Sequence, residues 1–266
     1  MTIRLRWYGF ITAKRMRKPE ANYARLRSLL VNPELFDPAK FDGQGRDYLH
    51  SNSKLLFDLL WGGVVSPLAG TAAIAGAAAV RLVDHEQPIF RQERLGLHAN
   101  PFTILKLRTM PGVHEQTDSN GRYNDDRRSE MGKVLSLLRI DEAPQLINVA
   151  KREMAVIGPR PLMDLQFVNA RRLVGVRKAD EWAQVHALAL PGIFDEYSNL
   201  HHRRQVEGDD AQQLATRIDV EMKYILETAS FGEDMRIMLE TIALFGDTAI
   251  NYARQSVGMS TSRELS

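Results

Sequence analysis

Cysteine is absent from this 266-residue chain, which excludes a disulfide framework, a cysteine-ligated metal site and a cysteine nucleophile. The chain also lacks a Walker-type or dinucleotide-binding glycine motif, and no His/Asp/Glu spacing indicates zinc. Its first residues do not show the basic region, apolar core and cleavage site of a signal peptide. The formal net charge of +2 does not favour a strong polyanion as partner. The length allows a sizeable core in one or two domains.

Positive charge is concentrated near the N-terminus. Residues 1–54 contain eleven Lys and Arg against five Asp and Glu, and four of the basic residues lie at positions 14–18. Such a segment is compatible with contact to nucleic acid or to an anionic membrane surface. It is equally compatible with a solvated basic face.

One long run, residues 59–80, contains no charged residue and no histidine. As a straight helix it would measure about 33 Å, enough for a hydrocarbon core of about 30 Å. Eleven of its 22 residues are Ala or Gly, and Ser66-Pro67 interrupts it. Lys54 and Arg81 flank it, so the positive-inside bias does not favour opposite sides for the two ends. We therefore expect a re-entrant membrane helix that bends at Ser66-Pro67; the alternative is a buried Ala-rich helix of a soluble core.

Hydrophobic periodicity predicts an α+β, helix-rich chain with interfacial amphipathic helices and a few short strands. Polar residues 255–266 are expected to form a frayed end. The predicted helices cover residues 20–35, 127–138, a stretch from Asp141, 211–228 and 234–252, and the predicted strands cover 89–90, 102–109 and 154–157.

Asp141 and Glu142 form an acidic pair shortly before Pro144. Proline is favoured in the first turn of a helix, so the simplest interpretation of the pair is a helix cap. The unpaired N–H groups at such a helix start also attract phosphate. A carboxylate there can act as a nucleophile on phosphorus. An anion that attacks an anion needs charge neutralisation, which Mg²⁺ usually supplies.

Three basic residues are candidates to hold phosphate oxygens: Lys106, Arg108 and Arg160. Arg160 lies in the turn Gly158-Pro159-Arg160-Pro161, where the prolines restrict its backbone. Each of these side chains, taken alone, is more typical of a surface charge.

Together these residues resemble the bacterial sugar transferases, the monotopic polyprenyl-phosphate hexose-1-phosphate transferases, also called phosphoglycosyl transferases. The resemblance spans residues 54–165 and extends more weakly through Pro191-Gly192-Ile193, Asp219 and Tyr224. Five segments carry it in the family's order: Phe57–Leu60 with Ser66-Pro67 after it, Pro88–Gly96, Pro101–Met110, Asp141–Val149 and Met154–Leu162.

The resemblance implies a two-step transfer of sugar 1-phosphate from a UDP-sugar to polyprenyl (undecaprenyl) phosphate. Asp141 would attack the phosphate that bears the sugar, form an aspartyl-phosphosugar intermediate and release UMP. Glu142, with Asp141, would bind Mg²⁺. Phosphate or nucleotide would be positioned by Lys106, Arg108, Thr109, Arg139, Arg160 and Asp219. The product would initiate surface polysaccharide or glycoconjugate assembly.

The resemblance also implies a location and a domain order. The chain is expected at the cytoplasmic face of the bacterial inner membrane, with the UDP-sugar, the polyprenyl phosphate and the membrane as partners and no nucleic acid. We expect a basic extension over 1–53, a re-entrant helix over 54–84, a catalytic domain over 85–254 and a polar tail over 255–266. The sugar and the oligomeric state are not predicted.

The chain departs from the family at several positions. Ser136 occupies the place of an arginine five residues before the nucleophile, and Arg139 is expected to supply that charge from another angle. Leu190, Phe194 and Arg152-Glu153 replace the usual arginine, threonine and Gly-Asp. These changes leave the alternative of a non-catalytic, membrane-associated scaffold on the same fold. The basic N-terminal segment and the weakly hydrophobic run leave a second alternative, a soluble phosphate-handling or nucleic-acid-binding protein.

Overall fold

A computed structural model describes residues 41–112 and 128–263 of the chain. The predicted helix over residues 20–35 and the basic segment at 14–18 lie outside the described residues. The elements follow the order helix, long helix, hairpin, then a mainly helical region. The predicted helix-rich α+β class with a few short strands is confirmed.

The apolar run forms most of one long helix. A short helix α1, Gln44–Leu49, precedes α2, Asn52–Ala79, which continues into a π-helical turn at Val80–Asp84. The Ser51 side chain caps α2 by accepting a hydrogen bond from the Lys54 N–H. The helix is continuous through Ser66-Pro67, and the bend predicted there stays a prediction.

Two hydroxyl groups bond to helix carbonyls near this proline. Ser66 Oγ donates to the Gly62 carbonyl, and Thr71 Oγ1 donates to the Pro67 carbonyl at 2.8 Å. Proline removes only one backbone donor, and neighbouring Ser and Thr hydroxyls help to satisfy the carbonyls around it. The backbone therefore stays helical, and a re-entrant course remains a prediction.

Helix α2 exposes most of its apolar side chains, including Leu59, Val64, Leu68 and Ile74. The stretch Asn52–Asp84 is long and apolar enough to cross a membrane, and only 11% of its most apolar part is buried. This exposure argues against the alternative of a buried core helix. Both ends nevertheless contact the same folded body, through buried Phe57 at one end and Val80 at the other.

The strands form two small sheets. Strand β1, Ile89–Leu95, pairs antiparallel with β2, Pro101–Leu107, across a 3₁₀ turn at Leu97–Ala99. Strand β3, Ala155–Ile157, pairs in parallel with β4, Gly192–Phe194. The sequence predicted β1 over only two residues, because four polar residues, Arg91–Arg94, follow Phe90.

The remaining helices follow the hairpin along the chain. They are α3 Glu130–Leu137, α4 Leu146–Ala150 after a 3₁₀ helix Ile140–Gln145, α5 Asp164–Leu173, α6 Val176–His186, α7 Glu196–His202, α8 Asp210–Lys223 with a π-helical turn Tyr224–Thr228, and α9 Phe231–Arg263. The sequence analysis missed α5, α6 and α7. The predicted frayed end was wrong as far as Arg263, because α9 continues past its predicted end at Tyr252.

The core lies around β3, all of whose residues are buried. Phe57 of α2, Val185 of α6 and Ile237 of α9 pack in the same cluster as Ile157. A second cluster centres on Trp182, which is fully buried between α5, α6 and α8. The core thus joins the N-terminal end of α2, around Phe57, to the main body.

A buried polar network lies at the N-terminal end of α2. Lys54 Nζ lies 2.6 Å from Asp234 Oδ2, 3.2 Å from Asp58 Oδ1 and 2.7 Å from the Ile157 carbonyl oxygen. Tyr48 and Tyr224 both donate hydroxyl hydrogen bonds to Asp234. The network links α1, α2, β3 and α9 through groups that are shielded from water.

Candidate active site

A cavity of about 490 Å³ opens between the β1–β2 hairpin, α3 and the 3₁₀ helix. Most of the side chains predicted to act on phosphate line it. The predicted site residues on its wall are Lys106, Arg108, Thr109, Arg139, Asp141, Glu142 and Arg160.

The acidic pair lies in the first turn of the 3₁₀ helix. Arg139 precedes this helix with a left-handed backbone, φ 56°, so the chain turns sharply after α3. The sequence correctly predicted a helix start at Asp141, although this first turn is 3₁₀ and the α-helix begins only at Leu146. Both carboxylates are buried, at 9% and 4% exposure.

Asn148 of α4, the helix that directly follows the acidic pair's 3₁₀ helix, bonds to the hairpin. It is fully buried, its Oδ1 accepts from Leu105 N–H at 3.2 Å, and its Nδ2 donates to the Thr103 carbonyl at 2.8 Å. These bonds hold the part of β2 that immediately precedes Lys106, so they help to position its ammonium relative to Glu142.

Glu142 is surrounded by three cations. Its Oε1 lies 3.0 Å from Lys106 Nζ and 3.5 Å from Arg160 Nη2, and its Oε2 lies 3.0 Å from Arg139 Nη1. Burial alone would raise the pKa of Glu142, but the three cations outweigh it and hold that pKa well below its usual range. Glu142 is therefore ionised throughout the ordinary pH range.

Asp141 is in a different electrostatic environment. Burial, and then the charge of Glu142, raise the pKa of the Asp141 carboxyl above its usual range, against the opposing effect of the cations. Its Oδ1 is buried and has no hydrogen-bond partner among the described residues. An ionised carboxylate with a raised pKa and an unbonded oxygen is suited to nucleophilic attack.

The turn Gly158–Pro161 carries Arg160 to the cavity. Its backbone is held from outside the cavity, because His186 Nε2 donates to the Arg160 carbonyl at 2.9 Å. The Arg160 guanidinium reaches toward Glu142 and lies 3.9 Å from Asp195 Oδ2. Burial would lower the pKa of Arg160, but the charges of Glu142 and Asp195 raise it, so the cation is permanent.

Three further predicted residues differ in position. Arg108 Nε donates to the Gln87 carbonyl at 3.0 Å, which directs part of this side chain to the cavity rim. Thr109 lines the cavity, and its carbonyl accepts from Ser129 N–H at 3.2 Å. Asp219 does not line this cavity; it is largely exposed and pairs with Lys178 at 2.8 Å. Its predicted contact with phosphate stays a prediction.

The departures from the family pattern have local explanations. Ser136 lines the cavity beside Arg139, so a cation is present next to Glu142 although position 136 is not basic. Arg152 has a left-handed backbone, φ 59°, which is the conformation that favours the usual glycine there. Glu153 still accepts a hydrogen bond from Asn148, at 2.7 Å. Phe194 packs on Phe245 and lies outside the cavity.

Sequence analysis missed a row of cavity residues on β1. Phe90, Gln92 and Arg94 all line the cavity, and Phe90 pairs across the hairpin with Lys106. Residues two apart on a strand share a face. The position of these three residues at every second place along β1 could therefore have predicted that they lie beside Lys106.

The donor atoms present fit Mg²⁺ only with help from a substrate. The described residues contain no group of three or more His, Cys, Asp or Glu side chains able to hold a metal. Mg²⁺ is usually bound by one or two carboxylates and by substrate phosphates and water. Asp141 offers an unbonded oxygen, while both oxygens of Glu142 contact cations.

Comparison with known proteins places this chain in a family. The family model described as bacterial sugar transferase matches residues 49–247. The chain is 31% identical over 192 residues to the UDP-glucose:undecaprenyl-phosphate glucose-1-phosphate transferase of Caulobacter vibrioides, covering 71% of this chain and 68% of the relative.

Two other relatives show the same likeness. The uncharacterized sugar transferase EpsL of Bacillus subtilis is 38% identical over 191 residues, covering 71% of this chain and 85% of the relative. The UDP-N-acetylgalactosamine-undecaprenyl-phosphate N-acetylgalactosaminephosphotransferase of Aeromonas hydrophila is 30% identical over 211 residues, covering 74% of this chain and 47% of the relative.

Proposed function

The chain belongs to the bacterial sugar transferase family, and on that basis we propose that it transfers a sugar 1-phosphate from a UDP-sugar to polyprenyl phosphate. The observation that carries this proposal is the position of Asp141, whose unbonded oxygen lies beside three cations around Glu142. Relatives named as transferases from UDP-sugars to undecaprenyl phosphate support the same reaction. The product would initiate surface polysaccharide or glycoconjugate assembly.

In the first step an oxygen of Asp141 attacks the phosphorus that bears the sugar. A bond forms between that oxygen and phosphorus, the bond to the bridging diphosphate oxygen breaks, and UMP leaves with the electron pair. The enzyme then carries an aspartyl-phosphosugar. Lys106, Arg139 and Arg160 face the site where charge develops on the leaving UMP, and preorganised cations of this kind stabilise such charge.

In the second step an oxygen of polyprenyl phosphate attacks the same phosphorus. A new diphosphate bond forms, the bond to Asp141 breaks, and the free carboxylate is restored. Glu142 holds the three cations around the site before the UDP-sugar binds, because its low pKa leaves it ionised.

Asp141 and Glu142 would hold Mg²⁺ together with diphosphate oxygens of the substrate. When bound, the metal neutralises charge on the diphosphate. The negative charge of the pair supports this assignment, and the diphosphate would relieve Glu142 of part of its contact with the cations.

The exposed apolar helix α2 would hold the enzyme at the cytoplasmic face of the bacterial inner membrane. Contacts of both its ends with one folded body support a re-entrant course. Recovery of the full chain in the soluble fraction without detergent would contradict membrane attachment.

Asp141→Asn tests the nucleophile. The amide is nearly isosteric but cannot form the acyl phosphate, so UMP release from a panel of UDP-sugars, with Mg²⁺ and polyprenyl phosphate, should fall at least about a thousandfold. The covalent phosphosugar adduct, detected by mass spectrometry of the intact protein, should disappear. Unchanged turnover would rule out Asp141 as nucleophile.

Asp247→Asn is the matched control. Asp247 is exposed on α9 and does not line the cavity, so its variant should keep full activity. The scaffold alternative predicts no UMP release from any sugar nucleotide, even with the unaltered chain.

A further inference from the structure

A second cavity, of about 610 Å³, lies between α3, α7 and α9. Its size is within the range of small-molecule sites. Its lining is amphiphilic. The basic residues are Arg128, Lys133 and Arg139, the apolar residues include Leu137, Leu244 and Phe245, and α7 adds polar side chains.

The basic end of this second cavity adjoins the nucleophile. Arg128, Ser136 and Arg139 line both cavities. Arg139 Nη1 lies 3.0 Å from Glu142, the neighbour of Asp141. A phosphate held at this end would therefore lie beside the reacting group. Among the described residues of the lining, the one carboxylate is Glu130, which pairs with Lys133 at 2.6 Å.

The apolar lining borders a hydrophobic surface of α9 at Phe245, which lies three residues after the exposed Ile242. Helix α9 supplies Leu244 and Phe245 to the cavity, and its outer face exposes Phe231, Leu239, Ile242 and Ile250. Their spacing places these four on one stripe of the helix.

This stripe begins beside the N-terminal end of α2. The ring of Phe231 contacts Phe57 of α2, with 5.6 Å between ring centroids. A hydrocarbon chain that leaves the second cavity would thus meet apolar surface leading toward α2.

We propose that the second cavity binds the polyprenyl phosphate acceptor, with its phosphate at the Arg128–Arg139 end and its first isoprene units against Leu137, Leu244 and Phe245. This inference rests on the proposed function and adds a separate place for the lipid. From there an acceptor phosphate oxygen reaches the phosphorus on Asp141 past Arg139. A nucleotide would leave the apolar lining residues without a matching group. An amphiphile with one anionic end matches both the basic and the apolar residues of the lining.

Photo-cross-linking tests the location without requiring turnover. The probe is a polyprenyl phosphate with a diazirine in its first isoprene units, added to the full chain in nanodiscs. Cross-links should map to the peptides that contain Leu137 and Leu244-Phe245. Unlabelled polyprenyl phosphate should compete, and phosphatidylglycerol should not.

Several results would overturn the proposal. They are labelling confined to residues 52–84, absence of labelling at both cavity peptides, or equal competition by phosphatidylglycerol, which would indicate an ordinary lipid contact. If no UDP-sugar reacts but the cavity peptides are labelled, the proposed function fails while the lipid site stands.

Kinetics of Leu244→Gln separate the lipid site from the nucleotide site. Leu244 is half-buried on the apolar wall, so a polar side chain there should raise the KM for polyprenyl phosphate about tenfold. Adduct formation from the UDP-sugar alone should stay unchanged. Val168→Gln, at an exposed apolar position on α5, is the control and should change neither. An unchanged acceptor KM for Leu244→Gln, or an equal loss of adduct formation, would contradict the proposal.

Discussion

Asp141 and Glu142 are adjacent carboxylates whose pKa values move in opposite directions. Glu142 lies within 3.5 Å of three cations, and its pKa falls. Burial raises the pKa of Asp141. One carboxylate thus holds the cations, and the other keeps the basicity that the proposed attack on phosphorus requires.

Arg139→Gln should move the acid limb of the pH profile. Only ionised Asp141 attacks, so the rate falls as pH drops through its raised pKa. Because Arg139 lowers the pKa of Asp141, its removal should raise that pKa further and shift the limb to higher pH. The measurement is the single-turnover rate of adduct formation against pH.

The control for this shift is Arg171→Gln. Arg171 pairs with Asp180 at 2.7 Å and does not line the cavity that contains Asp141. Its variant should leave the acid limb in place. A limb that moves to lower pH in Arg139→Gln would contradict the electrostatic role of Arg139.

At the scale of elements, the contact between the Gly158–Pro161 turn and the start of β4 positions Arg160. Gly192 N–H donates to the Pro159 carbonyl at 2.8 Å. A Cβ on Gly192 would lie 2.2 Å from the backbone nitrogen of Gly158. The two segments therefore approach as closely as two glycines allow.

Gly192→Ala should lower the free energy of unfolding by about 1–3 kcal/mol, because backbone atoms must move apart to admit the methyl group. The movement should also displace Arg160 and lower kcat more than stability alone explains. Thermal unfolding in detergent and turnover at a temperature where the variant is folded measure the two effects.

Gly232→Ala provides a matched substitution. A Cβ at Gly232 meets nothing within 4 Å, and alanine is the better helix former in α9. Stability should stay equal or rise. A Gly192→Ala variant as stable and active as this control would show that the close approach is unimportant.

At the scale of the whole molecule, the Lys54 network joins the apolar helix to the body. Lys54 and Asp234 are 5% and 0% exposed in their side chains. Burial of such groups is tolerated because each has several partners, and loss of one partner leaves uncompensated charge. The network therefore sets the position of α2 relative to the core.

Lys54→Met should destabilise the protein by about 3–5 kcal/mol, since Asp58 and Asp234 lose their shared cation. Lys178→Met, which removes an exposed pair with Asp219, should cost no more than about 1 kcal/mol. Thermal unfolding of both variants in the same detergent makes the comparison. Equal stability of the two would contradict the role assigned to the network.

The linear motifs determined the family and seven of the residues on the cavity wall, and hydrophobic periodicity determined the helix-rich class. The match over residues 49–247, with relatives named as sugar phosphate transferases, confirms the predicted family and the prediction of a phosphoglycosyl transferase. Asp141, Glu142, Lys106 and Arg160 were identifiable because each lies in a motif with characteristic neighbours.

The tertiary structure decided what depends on distant segments coming together. It placed Gln92 and Arg94 on the cavity wall through hairpin register, kept α2 helical through Ser66-Pro67, and set Asp219 outside the cavity that contains Asp141. It also made the acidic pair unequal, because a pKa depends on burial and on charges that approach from β2 and from the Arg160 turn. Sequence alone therefore identified the candidate site residues, and only folding decided which of the two carboxylates is held by cations and which keeps an unbonded oxygen.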